Sequence, residues 1–169
     1  ANDYTMPELV SAANNITITS GSAAGSIVAG NNPVRLKASA AAGSVLTLTG
    51  NNCKVIGIEF NGNSLANYGR VMTGDYPQVR EGAGGSCLIA AASLAGHFAR
   101  YSLNHWLGMT GGTAAVIYGG YDVQSVSENP ESNGATYAIE QGANESEFVA
   151  CHPVGSSGCV HLVHITTGS

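Results

Sequence analysis

The sequence predicts an all-β fold, a parallel β-helix (solenoid) of about six short coils, from three observations. Corners built of small residues recur along the chain, a short strand-like run follows most corners, and charged residues make up only 10% of the composition. An average soluble chain is roughly 25% charged. The length of 169 residues predicts a single folded domain.

The corners are dipeptides of glycine and a second small residue. They lie at Gly25-Ser26, Gly43-Ser44, Gly85-Ser86, Gly112-Thr113, Gly134-Ala135 and Gly158-Cys159. Their intervals are 18, 42, 27, 22 and 24 residues, and the interval of 42 is either two coils or one coil with a long insertion. Glycine and asparagine suit such corners because the backbone turns there through positive φ.

Two kinds of strand-like run alternate between the corners. The first kind spans 45–49, 87–90, 115–118, 136–139 and 160–163. The second carries apolar residues three apart, as in Phe98 and Tyr101, which requires a kink within the strand. A coil of this size cannot bury its apolar face alone. We therefore expect the coils to stack at a spacing of about 4.8 Å around one shared core.

The pattern G-x-x-L-x-L-x-G-x-N followed by V-x-x-I-x-F, clearest over Gly43–Phe60, resembles the right-handed parallel β-helix of the pectate-lyase-like superfamily and of phage tailspikes. The resemblance covers roughly residues 13–169 and implies a right-handed β-helix. In that family the binding and catalytic groups lie on the solvent faces of strands or in inserted loops. No catalytic motif of the family matches this sequence residue by residue.

The segment 87–107 allows a competing interpretation. It is rich in alanine, and Leu94, Phe98 and Tyr101 have helical spacing. An isolated helix is therefore the alternative here, although alignment with the neighbouring coils favours strand-turn-strand.

We divide the chain into an N-terminal arm at 1–12 and a β-helix domain at 13–169 with a long inserted loop at about 61–83. The loop gathers aromatic and charged residues in a chain that is otherwise poor in charge: Tyr68, Arg70, Asp75, Tyr76, Arg80 and Glu81. Aromatic rings and arginines suit the rings and hydroxyls of sugars. The candidate ligand-binding residues are therefore Tyr68, Arg70, Tyr76 and Arg80. The alternatives are a subunit contact and a plain solvated loop.

Carboxylates supply the candidate catalytic residues, because glycoside hydrolysis needs two of them about 5–9.5 Å apart. Asp75 with Glu81 or Glu59 is the candidate pair. A polysaccharide depolymerase, hydrolase or lyase, is the alternative function that such a pair predicts. The resemblance implies more coils for a catalytic β-helix than fit in this chain, so a binding or structural protein is favoured over an enzyme.

Alternation along the strands predicts an apolar stripe on the outside of the solenoid. We expect Leu46, Leu48, Leu88, Ala90, Ile117 and Ile139 to point inward. The outward residues would then be Val45, Thr47, Ile89, Val116 and Tyr118, which we interpret as an oligomer interface. The resemblance implies a trimer. The sequence also stops within a coil, which adds the expectation of a partner at an open end.

Several classes of ligand are disfavoured. The chain has only six lysines and arginines and a net charge of −5, which disfavours binding of nucleic acid. No stretch of the sequence approaches the roughly 18 apolar residues of a membrane span. The histidines and cysteines lack metal-ligand spacing and no cofactor fingerprint is present, so we expect no metal and no cofactor. The four cysteines are interpreted as buried small hydrophobes, with their pairing left open.

These expectations combine into a structural and recognition component of a virion surface, of the tailspike, fibre or capsid-decoration type. We expect it on the virion or in the extracellular space. Its expected partners are copies of itself, other virion or assembly proteins and bacterial polysaccharide. A subunit of a self-assembling extracellular filament is the second alternative, and it differs by polymerising on its own.

Overall fold

The structure is a computed structural model that describes residues 2–20 and 34–166. It contains three sheets of parallel strands, which the chain visits in the repeating order A, B, C. Each visit to all three sheets is one coil. The predicted all-β solenoid of about six coils is therefore confirmed. The predicted corner Gly25-Ser26 lies outside the described residues.

Sheet A contains six short strands: β1 (Asn2–Met6), β4 (Val34–Ala38), β7 (Ile58–Asn61), β10 (Ala83–Gly85), β13 (His105–Leu107) and β16 (Asn129–Glu131). Sheet B contains the longer strands: β2 (Leu9–Ser11), β5 (Ala42–Leu48), β8 (Ala66–Met72), β11 (Ala90–Leu94), β14 (Ala114–Tyr118), β17 (Tyr137–Gln141) and β19 (His161–Ile165). Sheet C contains β3 (Thr17–Thr19), β6 (Lys54–Ile56), β9 (Gln78–Arg80), β12 (Arg100–Ser102), β15 (Tyr121–Val126) and β18 (Asn144–Val149). Coils 1 to 6 take these strands in threes, and β19 adds a seventh strand to sheet B.

The ladder register fixes the true repeat. Leu46 pairs with Arg70, Arg70 with Ala92, and Ala92 with Val116, at intervals of 24, 22 and 24 residues. Every strand pair in the three sheets is parallel, as stacked coils require. The apolar residues of successive coils thus form columns inside the solenoid.

Two parts of the predicted organisation differ from the structure. The segment 61–83 is not an inserted loop: it holds β8 and β9 and begins β10, and it supplies most of a regular coil. This coil has no corner dipeptide of glycine and a second small residue. The interval of 42 residues between Gly43-Ser44 and Gly85-Ser86 therefore spans two coils. Residues 1–12 are not a separate arm either, because β1 pairs with β4 and β2 pairs with β5.

The alternative helix at 87–107 is also wrong. This segment forms β11, β12 and β13, and the described residues contain no helix. Ala91 and Ala92 are fully buried, where small side chains leave room for the larger residues of the adjacent coils. Ladder pairing thus overrides the helical propensity of the alanines.

The corner between sheets B and C has an unexpected composition. A non-glycine residue in every coil adopts a left-handed φ there: Asn15, Asn52, Tyr76, Phe98, Asp122 and Glu145, with φ between 50° and 62°. In coil 5 Gly120 has a positive φ as well, 93°. Glycines precede this corner. A Cβ on Gly74 would lie 2.0 Å from the carbonyl oxygen of Gly50, and one on Gly96 would lie 2.2 Å from that of Gly74. Close backbone approach, rather than φ, therefore demands glycine here.

Candidate functional site

The outer surface of sheet B has one column of side chains that the register aligns from coil to coil. It runs through Val10, Thr47, Val71, Ser93, Ile117, Glu140 and His164. All but Val10, which is 61% exposed, are half-buried. A second outer row places Ile89 between Asn67 and Thr113, to which it is joined by backbone hydrogen bonds. We call these uncharged residues the sheet B face: Val10, Thr47, Val71, Ser93, Ile117, Asn67, Ile89 and Thr113.

The other two sheets carry charge on their outer surfaces. On sheet A, Arg35 Nε lies 2.7 Å from Glu59 Oε1, and Arg35 Nη1 lies 3.5 Å from Asp3 Oδ1. On sheet C, Lys54, Arg100 and Glu147 share one outer column with two glutamines. The sheet B face is uncharged from coil 3 to coil 5, and this separates it from its neighbours. In coils 1 and 2 the exposed Glu8 carboxylate borders it and accepts hydrogen bonds from Ser44 N and Oγ at 3.0 and 2.9 Å.

The predicted outward stripe is only partly correct in geometry. Val45, Val116 and Tyr118 are 1%, 0% and 1% exposed in the single chain, so they belong to its core and are not available to a partner. Thr47 and Ile89 do lie on the outer surface, and their contact with a partner stays a prediction. Of the residues expected inside, Leu88 is 41% exposed.

The error has a simple cause. Ser44, Val45 and Leu46 are all buried, so the alternation of inward and outward residues fails in this part of β5. In the ladder, the inward column that contains Leu46 also contains Val116. Matching the coils by sequence alone predicts Ile117 at that position instead. A slip of one residue moves every side chain to the opposite face of a strand. Ile117 is therefore on the outside.

Aromatic rings form a second candidate feature at the corner between sheets B and C. The rings of Tyr76 and Phe98 stack with centroids 5.0 Å apart, and the rings of Phe98 and Tyr121 meet edge to face at 6.1 Å. Their exposed fractions are 50%, 38% and 40%. We call these three residues the aromatic corner. Side-chain interaction between aromatic residues offsets part of the strain of the left-handed φ at Tyr76 and Phe98.

Charged groups surround the aromatic corner. His97 Nδ1 lies 3.2 Å from Asp75 Oδ1, and Arg100 Nη1 lies 3.4 Å from Asp122 Oδ1. A hydrogen bond to the Glu145 carboxylate, together with its charge, raises the pKa of the Tyr121 hydroxyl. Rings with hydrogen-bonding groups beside them provide the kind of chemistry that sugars require.

The four candidate ligand-binding residues do not come together in one site. Tyr76 belongs to the aromatic corner, and Tyr68 is half-buried on β8. Arg80 is on the outer side of β9, with its Nε 3.0 Å from Glu81 Oε1. Arg70 is fully buried in the core and cannot reach a ligand in solvent.

The three candidate catalytic carboxylates each have a different partner. Glu59 forms an ion pair with Arg35 on sheet A. Asp75, which precedes β9, lies beside His97 of the next coil, and Glu81, which follows β9, forms an ion pair with its neighbour Arg80. Glu81 is only 6% exposed. The structure thus gives no observation that favours these residues as a hydrolytic pair.

The core contains a polar cluster that the sequence did not reveal. The guanidinium of Arg70 lies 4.5 Å from the ring centroid of Phe60 and 4.8 Å from that of Trp106. Desolvation by burial lowers the Arg70 pKa to about 9, against the favourable charge of Glu128. Because the cluster is dry and enclosed, it bears on stability and leaves the surfaces as the sites for recognition.

Within residues 2–20 and 34–166, no three His, Cys, Asp or Glu side chains group in a way that would hold a metal ion. The four cysteines are free thiols, with Cys53 and Cys87 buried and Cys151 and Cys159 half-buried. The described part of the chain has no helix with the length and hydrophobicity to cross a bilayer.

Comparison of the chain with protein-family models, with curated proteins and with solved structures finds no match. The fold class is therefore defined by the ladder of the chain itself: a parallel β-solenoid with one uncharged face and one aromatic corner. Phe98 and Tyr121 were missed by the sequence analysis. Phe98 follows Tyr76 by 22 residues, which is the ladder repeat, whereas Tyr121 lies one residue before the next position of that column, Asp122. The repeat therefore identifies Phe98, and the contact of Tyr121 with it is visible only in the structure.

Proposed function

We propose that this chain is a structural subunit that associates side by side with copies of itself through the sheet B face. The observation that carries the proposal is the absence of charge over three successive coils of that face, coils 3 to 5. A chain with a net charge of −5 repels its copies, and least so where neither surface is charged. Burying Val71, Ile89 and Ile117 against a second copy removes apolar surface from water.

Sedimentation equilibrium at micromolar concentration tests this association. We expect the wild-type protein to be oligomeric and Ser93→Glu to shift it toward the monomer, because the new carboxylate would be buried in the contact. Ser102→Glu is the matched control: Ser102 is a half-buried serine on the outer side of sheet C, next to Arg80 in the ladder. A monomeric wild-type protein would overturn the proposal.

The setting we propose is a virion surface, as a fibre, tailspike or capsid-decoration component. A stack of coils with parallel ladders along its whole length supports this role, since such an elongated scaffold suits a spike or a shell. A self-assembling filament is the alternative. A virion component should stop at a closed oligomer, whereas a filament subunit should grow with concentration. Light scattering over a hundredfold dilution series separates the two.

A polysaccharide contact at the aromatic corner is a second candidate function. The exposed rings of Tyr76 and Tyr121 beside carboxylates and Arg100 favour it. Affinity electrophoresis through gels that contain purified bacterial capsular polysaccharides tests it. Retardation should be lost in Tyr76→Ser with Tyr121→Ser and kept in Tyr4→Ser, a control that removes an equally exposed tyrosine from sheet A. An assay for new reducing ends on the same polysaccharides distinguishes binding from depolymerisation.

A further inference from the structure

Charge is distributed unevenly along the axis of the solenoid. All six lysines and arginines precede residue 101, whereas six of the eleven carboxylates follow it. Coil 2 carries three of the cations and no carboxylate: Arg35, Lys37 and Lys54. Coil 6 carries five glutamates and no lysine or arginine: Glu128, Glu131, Glu140, Glu145 and Glu147. Glu128 is buried, and the other four are on the outer surface.

The two charged coils place opposite charges in the same outer columns. On sheet A, one outer column begins at Lys37 in coil 2 and ends at Glu131 in coil 6. Between them it contains Asn61, Gly85 and Leu107. On sheet C, the column of Lys54 ends at Glu147. Lys37 lies at the end of its strand just before β5, and Lys54 begins the strand just after it. The two columns therefore flank the sheet B face on its two sides.

Coils 2 and 6 are equally far from coil 4. A two-fold axis in the plane of the sheet B face, perpendicular to the solenoid axis and level with Ser93, would bring coil 2 of one copy beside coil 6 of the other. We propose that two copies pack in this antiparallel way, with Lys37 against the partner's Glu131 and Lys54 against the partner's Glu147. Val71 then faces the partner's Ile117, and Thr47 faces the partner's Glu140.

Parallel packing has the opposite electrostatic result. It would place the acidic coil 6 of both copies at one level, so that Glu140 faces its own counterpart and Glu131 faces the partner's Glu147. Like charges directly opposite each other are unfavourable, and coils 5 and 6 have no lysine or arginine to compensate them. Within the chain Glu131 has His105, whose Nε2 lies 2.9 Å from Glu131 Oε1. The antiparallel arrangement rests on the proposed lateral association, and it adds a two-fold symmetry and a defined partner for each lysine.

Charge reversal tests the pairing directly. Lys37→Glu introduces two repulsive contacts per dimer, and we expect the dimer dissociation constant to rise by about tenfold or more. Glu131→Lys should do the same, and the double variant Lys37→Glu with Glu131→Lys should return to within about threefold of wild type. Lys37 and Glu131 are four coils apart in one chain, about 19 Å, which exceeds the screening length of about 8 Å. Rescue in the double variant must therefore arise between copies.

Cysteine cross-linking gives an independent measurement, in a background with Cys151→Ser and Cys159→Ser. A mixture of Val71→Cys and Ile117→Cys proteins should form the mixed disulfide dimer, and Thr47→Cys alone should form none. A trimeric mass, self-cross-linking through Thr47→Cys, or failure of the charge swap to restore the dimer would overturn the antiparallel arrangement and leave lateral association standing. A monomeric wild-type protein would overturn both.

Discussion

Trp106 Nε1 donates a hydrogen bond of 2.6 Å to Glu128 Oε2 inside the solenoid, where the two residues are 0% and 1% exposed. Asn104 Nδ2 donates to the other carboxyl oxygen at 2.8 Å, and the Tyr118 hydroxyl donates to Oε2 at 3.2 Å. Desolvation raises the Glu128 pKa to about 7, while these donors oppose the rise. A carboxyl group in the shared core thus titrates near neutrality.

Glu128 predicts a pH dependence of stability. Its pKa is 4.5 in the unfolded chain and about 7 in the folded one, so between these values the folded state holds a proton that the unfolded state has lost. The free energy of unfolding should therefore fall as the pH rises from 4.5 to 7, by up to about 3 kcal/mol. Urea unfolding at a series of pH values measures this.

The matched variant is Glu128→Gln, which keeps the shape and removes the titration. The difference between the wild-type and variant profiles isolates the carboxyl from all other groups. If the two proteins show the same slope between pH 4.5 and 7, the account of Glu128 is wrong.

The surroundings of Arg70 predict that stability depends on the volume of its side chain and not on its charge. Arg70 Nη2 donates to the carbonyl groups of Ile58 and Ala83, but Nε and Nη1 are buried without a partner. We expect Arg70→Met to leave the free energy of unfolding unchanged or to raise it by about 1–3 kcal/mol. Arg70→Ala should lower it by about 2–5 kcal/mol because a cavity remains.

Chemical denaturation of the two variants provides the comparison. Equal destabilisation by both substitutions would show that the guanidinium itself holds the core, contrary to this expectation.

At the corner between sheets B and C, the backbone of Gly74 lies so close to that of the preceding coil that we expect no side chain to be tolerated there. A methyl group there would lie 2.0 Å from the carbonyl oxygen of Gly50 and 2.4 Å from its carbonyl carbon, so adjacent coils would have to separate. We expect Gly74→Ala to lower the free energy of unfolding by about 3 kcal/mol or more. Thermal and urea unfolding would measure the loss.

Gly43→Ala is the control for Gly74. A Cβ on Gly43 meets only the Glu8 carboxylate, at 3.4 Å, and the backbone there needs no positive φ. Stability should stay the same or increase by about 0.4–1 kcal/mol. Similar losses in the two variants would argue against close backbone approach as the cause.

Phe98 predicts that the aromatic corner stabilises its coils. Phe98→Ala removes the contacts with both Tyr76 and Tyr121, and we expect a loss of about 1–3 kcal/mol together with a weaker near-ultraviolet circular dichroism signal. Leu103→Ala serves as the comparison, because Leu103 is also exposed and has a left-handed φ but belongs to no ring stack. A loss from Leu103→Ala as large as that from Phe98→Ala would contradict a role for stacking.

Sequence reasoning recovered the class of fold because the relevant signal is local. Small residues at corners, short apolar runs and scarce charge are each visible within one coil, and together they favour stacked coils. The same reasoning misplaced 61–83 as an inserted loop, because that coil lacks the corner glycine dipeptide. It found Tyr76 and missed Phe98 and Tyr121, whose relation to Tyr76 exists only across coils.

The stacking of short parallel coils around one core follows from local features of the sequence. Which side chains face that core, and which meet between coils, is visible only in the folded chain. The reason is physical: neighbours in a column are 22–24 residues apart, and alternation within one strand does not give the register that aligns them, as the consecutive buried residues Val45 and Leu46 show. A shift of one residue exchanges inside and outside, as it did for Val116 and Ile117.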